Sequence, residues 1–377
     1  MQDRVPLYPG RVTLTPVAGQ ENTFDMVRAD QPTQEGTPLN KETLLKDGTA
    51  ALLGLGTDAV PDDAFVALIL GQGIYGYRIR VQFADGTPVE GATITGIEPL
   101  TGSTLVTGAD GTVLGKSASA NVTINCTSPY IDQKAPTAQT VTKTGTITNV
   151  TLTLENISEM LTVSSSKTTK ISQMAKAIDI FASGGGGGGG YGVAGGGGGG
   201  YADNKLNVPT SGSTDLEIVI GSGGSSGSES SFNGGNGGKT SVSIGNTIVL
   251  TASGGVGGTN DGGAGNQPGG EGNGPGGTGS YKSADNGSSA SVYVFNDATI
   301  GIKTGGGGGG GARNTSRTQG GSPNGGRSGY YESLGRVNAG ESGGVGGGGG
   351  GGSAGYNGEI SYGGNGGPGI VYLRFHF

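Results

Sequence analysis

Four uninterrupted glycine runs, at residues 184–190, 195–200, 305–311 and 346–352, set the terms on which this chain can fold. Such a run has no side chains to bury, so no hydrophobic core of its own can hold it. Ordering it also costs more backbone entropy than ordering any other residue type. Two outcomes remain: a flexible tether, or a structure held by hydrogen bonds between backbones. The distribution is uneven, because only 17 of the 87 glycines precede residue 184 and 70 follow it. Collagen is excluded, since the glycines come in blocks without a Gly-X-Y period and the whole chain has 15 prolines.

The segments between the runs argue against a tether. Leu216–Ile220 alternates apolar and polar residues. Ser241–Thr251 reads as a hairpin turning at Gly245-Asn246, and Ser291–Ile302 as another turning at Asn296-Asp297. Ile370–Phe375 closes the chain with a strand. An ordered glycine-rich domain over residues 184–377 is therefore expected. In a polyproline-II-type helix the N–H and C=O groups point outward, so neighbouring polyglycine helices can satisfy one another. A seven-residue run would then span about 22 Å at about 3.1 Å per residue. A polyglycine-II stack capped by β strands is the arrangement that offsets the ordering cost.

Upstream, three further regions are expected. Residues 1–72 combine an extended start, Arg11–Pro16, with two short helical patterns. Asn40 is a candidate N-cap for the first, with Leu44, Leu45, Ala51, Leu52 and Leu53 as its apolar stripe. Pro61 opens the second, with Asp62 and Asp63 in its first turn and Gly71 at its end. So short and polar a segment must pack against a partner or its own copies. Residues 73–156 alternate in short runs separated by Gly, Asp, Asn and Ser, which predicts a small antiparallel sandwich with a turn at Asp85-Gly86. Residues 157–183 form a connector that ends in a strand over Ala175–Ala182. The predicted fold class is mainly β and multidomain.

Composition removes several function classes. With 22 Lys and Arg against 29 Asp and Glu, a net charge of −7 repels nucleic acid. One cysteine, Cys126, cannot form an internal disulfide, and one histidine, His376, cannot supply a multi-histidine metal site. The longest apolar run, Ala64–Leu70, is far short of a bilayer span, and the N-terminal residues have no apolar signal core. A soluble chain without membrane insertion or a secretion address is expected. The junction at Ala177–Ser183 satisfies a G-x-G-x-x-G pattern trivially, but a dinucleotide site needs a helix after those glycines, and here glycine continues. Five Asp in the glycine-rich region, at 203, 215, 261, 285 and 297, follow no nonapeptide calcium period. No catalytic set, metal site or cofactor is expected, and the chain reads as a non-enzyme.

The order of blocks carries a resemblance. IDIFASGGGGGGGYG (178–192), LEIVIGSGG (216–224), NGGNGGKTSV (233–242), LTASGGVGG (250–258) and GGPGIVYLRF (366–375) resemble the glycine-rich domain of bacteriophage and prophage tail-fibre proteins. Leu7–Leu45 also looks like the start of phage tail proteins. DGTPVEGATITG (85–96) and TGADGTV (107–113) resemble carboxypeptidase-regulatory-like or bacterial Ig-like modules, common as spacers. The resemblance implies an N-terminal virion anchor, an Ig-like spacer and a distal domain that binds the host surface. It implies other tail or baseplate proteins and a host glycan or protein receptor as partners, and a homotrimer. A purely structural virion role and a glycan depolymerase are the alternatives. For receptor binding, residues 312–342 gather Arg313, Arg317, Arg327, Tyr330, Tyr331 and Arg336, types that suit recognition surfaces. Weaker candidates are the loops at 202–214 and 259–288, the latter with Asn260, Asp261 and Tyr281.

Overall fold

The computed structural model describes residues 5–6, 11–18, 23–28, 32–34, 45, 47–70, 75–100, 102–145, 147–212, 214–260, 269–272, 276, 285–289, 292–294, 301–303, 305–311, 317–331, 337–355 and 358–377. The chain is mainly β, and it groups into two compact units: 1–127 with 135–153, and 128–134 with 154–377.

In the first unit, strands Val12–Pro16 and Phe24–Arg28 pair as an antiparallel hairpin. Two helices follow, Asp47–Leu52 and Pro61–Leu70. The second begins at the expected proline, and the Asp63 carboxylate accepts the Val60 N–H at 3.0 Å, capping the turn. The Asn40 cap lies outside the described residues.

Beside the short pair Val5–Pro6 and Pro32–Gln34, this unit has two larger sheets. One has the order Ile147–Thr153, Tyr75–Gln82, Thr112–Ser117, Glu98–Pro99; the other Gln139–Thr142, Asn121–Thr127, Thr93–Thr95. Tyr77, Ile79 and Val81 alternate into the interior, as do Val122 and Ile124. Asp85 accepts the Thr87 N–H at 2.9 Å, and Gly86 takes a left-handed φ of 87°, as the Asp-Gly turn predicts. One feature departs from the antiparallel expectation: Ile147–Thr153 runs parallel to Tyr75–Gln82. Alternation marks which face a residue takes but not strand direction, and the long intervening chain supplies the crossover that a parallel pair needs.

The second unit opens with two four-stranded sheets. Their orders are Leu161–Val163, Ile370–His376, Ala177–Ser183, Ala202–Pro209 and Lys167–Ile171, Thr214–Val219, Thr240–Ile244, Thr247–Ala252, all antiparallel. Ile178, Ile180, Leu216, Ile218, Val242, Leu250, Val371 and Leu373 form their shared core. The hairpin at 240–252 turns at Gly245 (φ 54°) and Asn246 (φ 65°), the pair of left-handed residues a two-residue turn requires. Residues 157–183, which the sequence presents as a connector, supply Leu161–Val163 and Lys167–Ile171 as edge strands and Ala177–Ser183 as a central one. Residues 202–209, expected within a loop, are a strand beside Ala177–Ser183. The second predicted hairpin exists as Val292–Val294 against Gly301–Lys303, and its turn lies outside the described residues.

Candidate functional site

Six of these eight strands continue without a break into glycine-rich segments. Ala177–Ser183 runs into 184–190, and residues 195–201 return into Ala202–Pro209. Thr214–Val219 and Thr247–Ala252 likewise lead outward, while 233–239 and 363–369 return into Thr240–Ile244 and Ile370–His376. Strand and polyproline-II backbones rise at nearly the same rate, about 3.3 and 3.1 Å per residue, so the change of structure needs no loop.

Run 184–190 lies at the centre. Gly184, Gly187 and Gly190 donate to the carbonyls of Tyr201, Gly198 and Gly195. Gly185, Gly188 and Tyr191 donate to Gly238, Gly235 and Phe232, and Gly186, Gly189 and Gly192 to Gly367, Gly364 and Ser361. The same neighbour recurs every third residue, the repeat of a polyproline-II-type helix. Three more segments donate to this run: Gly255 and Gly258 to Gly185 and Gly188, Gly224 and Gly227 to Gly186 and Gly189, Gly349 and Gly352 to Gly187 and Gly190. The central helix thus gives its N–H groups to antiparallel neighbours and its carbonyls to parallel ones. Run 346–352 is a second hub, with every N–H from Gly346 to Gly352 bonded to a backbone carbonyl.

Glycine is required here by space. A Cβ on any residue from Gly184 to Gly189 would lie 1.9–2.1 Å from a backbone carbonyl oxygen of a neighbouring segment. Where strands become helices, the buried Thr240 hydroxyl donates to the Ser183 carbonyl at 2.8 Å and accepts the Gly221 N–H at 3.0 Å. These bonds tie the two sheets together at the base of the stack.

The outer end, opposite the sheets, is where side chains return. The turns there include 191–194, 228–233, 259–260 and the described residues 353–355 and 358–361, together with the ends of 317–318 and 328–331. Of the six residues singled out from sequence, Arg313 and Arg336 lie outside the described residues. Arg317, Tyr330 and Tyr331 stand at this outer end, because Gly329 bonds to Gly351 and the Thr318 hydroxyl to Gly310. The Arg317 guanidinium lies 3.0 Å from Glu341, 3.1 Å from the Ser328 carbonyl and 4.8 Å from the centre of the Tyr330 ring. Its fork therefore braces the stack edge as well as facing outward. Arg327 is exposed, and Tyr330–Tyr331 pairs antiparallel with Val337–Asn338. Asp261 and Tyr281 also lie outside the described residues.

A second group at this end is one that sequence reasoning missed. Tyr191, 5% exposed, sits between Phe232 and Tyr362, with ring centroids 6.2 and 5.3 Å away. Phe232 and Tyr362 are about half exposed, and Ile360 stands exposed beside them. The Tyr191 hydroxyl donates to Glu229 at 3.2 Å; burial first, then the Glu229 carboxylate, raises its phenol above the ordinary range. The Asn260 side chain donates to the Tyr191 carbonyl, and its own N–H donates to the Asn233 side chain at 2.7 Å. The available signal is an aromatic residue set directly against the outer end of a glycine-rich segment, as Tyr191 is against 184–190 and Tyr362 against 363–369.

At the sheet end, a hollow of about 230 Å³ is lined by Thr168, Asp215, Glu217, Ser243 and Asn246. It lies on the solvent side of the sheet, where Asp215 and Glu217 are exposed. The glycines after Ser183 lead into no α-helix, so the dinucleotide geometry is absent there. Among the described residues no group of three His, Cys, Asp or Glu could hold a metal ion, and no helix is long and apolar enough to cross a membrane.

Among curated proteins, none matches the chain. Residues 162–376 match the family described as the glycine-rich domain, over more than half of the chain. The match begins within the first strand of the two-sheet base and ends at the last residue of its final strand, so the family's unit includes both base and stack. The chain belongs to the glycine-rich domain family.

Proposed function

We propose that this protein is a bacteriophage virion component, a tail fibre or related adhesin, held in the particle by its N-terminal segment. In this reading the turns at the outer end of its glycine-rich domain recognise the host-cell surface, and residues 73–156 are an Ig-like spacer. One observation carries the reading: a stack held mainly by backbone bonds ends, opposite its sheets, in turns that carry Tyr191, Phe232, Ile360, Tyr362 and Tyr330. Rigid scaffolds that display variable turns are the usual platform for recognition. No catalytic group or cofactor is invoked.

The N-terminal segment suits attachment. Leu14 pairs with Met26 and Pro16 with Phe24, so Val12, Leu14, Phe24 and Met26 share one exposed face of a two-stranded hairpin. A lone hairpin is marginal in water, and an apolar face of this kind needs cover from other tail or baseplate proteins or from copies in a homotrimer. Several copies would also strengthen weak individual contacts.

The test uses the full-length chain, labelled and titrated against a panel of bacterial cells, beside immunogold labelling of phage particles. Saturable binding to a subset of strains and a label at an exposed tail position are expected. Particle labelling without binding to any strain would leave the purely structural role; a label absent from particles would overturn the virion assignment.

A further inference from the structure

The aromatic group at the outer end has a chemistry of its own. Phe232 and Tyr362 are 47% and 50% exposed, yet neither is loose. The Phe232 carbonyl accepts the Tyr191 N–H at 2.8 Å, and the Tyr362 carbonyl accepts the Gly340 N–H at 2.9 Å. Their rings tilt by 52° and 64° against Tyr191, which fills the space between them. The apolar surface is thus preorganised, so a ligand would meet little ordering cost.

Polar groups border it on the same turns: the Glu229 carboxylate and the side-chain amides of Asn233 and Asn260. A surface that offers ring faces beside carboxylate and amide groups matches a pyranose, which has an apolar C–H face and a rim of hydroxyls. Charge narrows the class. Glu229 and Glu359 are exposed, and the turns 191–194, 228–233, 259–260 and 358–362 contain no Lys or Arg. On these turns, carboxylated or phosphorylated sugars would meet the two carboxylates with no cation on the same turns to offset them.

We infer that Phe232 and Tyr362, braced by Tyr191 and bordered by Glu229, Asn233 and Asn260, form a binding site for an uncharged glycan. The inference rests on the host-recognition reading for its biological setting. It also moves the centre of recognition from Arg317 and Tyr330 to the neighbouring aromatic turns.

The test is direct binding of the full-length chain to an array of neutral hexose, 6-deoxyhexose and N-acetylhexosamine oligosaccharides, with acidic oligosaccharides alongside. Binding to at least one neutral glycan is expected, weakened at least tenfold by Phe232→Ala with Tyr362→Ala. Phe232→Leu with Tyr362→Leu keeps apolar volume without the rings; it should weaken binding similarly and guards against loss of folding, checked by thermal melting. No binding to neutral glycans, a preference for acidic ones, or unchanged binding by both folded variants overturns the site. Cell binding measured in parallel separates the two readings. Cells bound without any neutral glycan would overturn this site alone; neutral glycan bound without any cells would overturn the host-recognition reading alone.

Discussion

Asp179 and Arg374 face each other across neighbouring strands, and the guanidinium Nη2 lies 2.9 Å from the buried carboxylate. Asp179 also accepts the Asn207 N–H at 2.7 Å, where the strand bulges between Ile178 and Ile180 and Asn207 adopts a φ of 51°. His376 Nε2 lies 3.0 Å from the same carboxylate. Burial pushes this carboxyl up, but the Asn207 N–H, then Arg374 and His376, outweigh it and hold it below the ordinary range.

The sign of the pH dependence follows. A carboxyl depressed in the folded state contributes stability that is fully present above its unfolded value of about 3.9 and is lost as pH falls through its folded value. Thermal melts from pH 7 down to pH 2 should show the wild type losing stability at the acid end, with Asp179→Asn showing a shallower decline there. At neutral pH, Asp179→Ala removes the buried carboxylate that Arg374 and the Asn207 N–H both meet and should cost about 3 kcal/mol.

Replacing a single central glycine should be among the most damaging changes available. In Gly187→Ala the new methyl would fall 2.1 Å from the Val256 carbonyl oxygen, and in Gly348→Ala 1.9 Å from that of Gly197. Separating the helices would leave buried backbone groups unpaired, at about 3–5 kcal/mol for each variant. Gly48 is the contrast: it lies in the helix Asp47–Leu52, and an alanine methyl there would meet no atom within 4 Å. Gly48→Ala should gain about 0.5–1 kcal/mol in its own unit. Chemical denaturation of the three variants checks both directions.

Amide exchange should read the stack as core. Gly187, Gly188, Gly349 and Gly350 donate to backbone carbonyls at 2.8–2.9 Å and are buried on every side. Their protection should match that of Ala177–Ser183 and exceed that of the turn at 358–362. Exchange at the rate of free glycine peptides would contradict the bonding scheme.

Cys126 lies in the strand Asn121–Thr127, and burial raises its thiol to about 11. Little thiolate exists at pH 8, so alkylation by iodoacetamide should be slow in the folded chain and fast in denaturant. Mass spectrometry of the modified protein checks this.

Much of the base is legible from residue order. The Gly245-Asn246 pair and its flanking alternation locate a hairpin, and Pro61-Asp62-Asp63 locates a helix start, because both depend on neighbours in sequence. The glycine runs disclose that their backbones must find partners elsewhere, since nothing local can satisfy them. They do not disclose which segments become neighbours, because identical residues carry no pairing code. For the same reason Ala202–Pro209 reads as loop: its strand pairing follows from where run 195–200 returns, not from its own composition. The aromatic group is hidden because Tyr191, Phe232 and Tyr362 are far apart in the chain and meet only once the stack forms.

The three-residue repeat of the central helix gives the molecule an adjustable gauge. Shifting one polyglycine helix past another by three residues restores an equivalent set of backbone bonds, so the helices alone do not fix their own alignment. That duty falls to the strands, whose side chains interlock in the base. Adding three glycines to each of two runs joined by an outer turn would therefore lift that turn by one helical repeat, about 9 Å. The base would keep its register, and the turn its local structure. Reach and surface chemistry at the outer end can in this way change by separate steps.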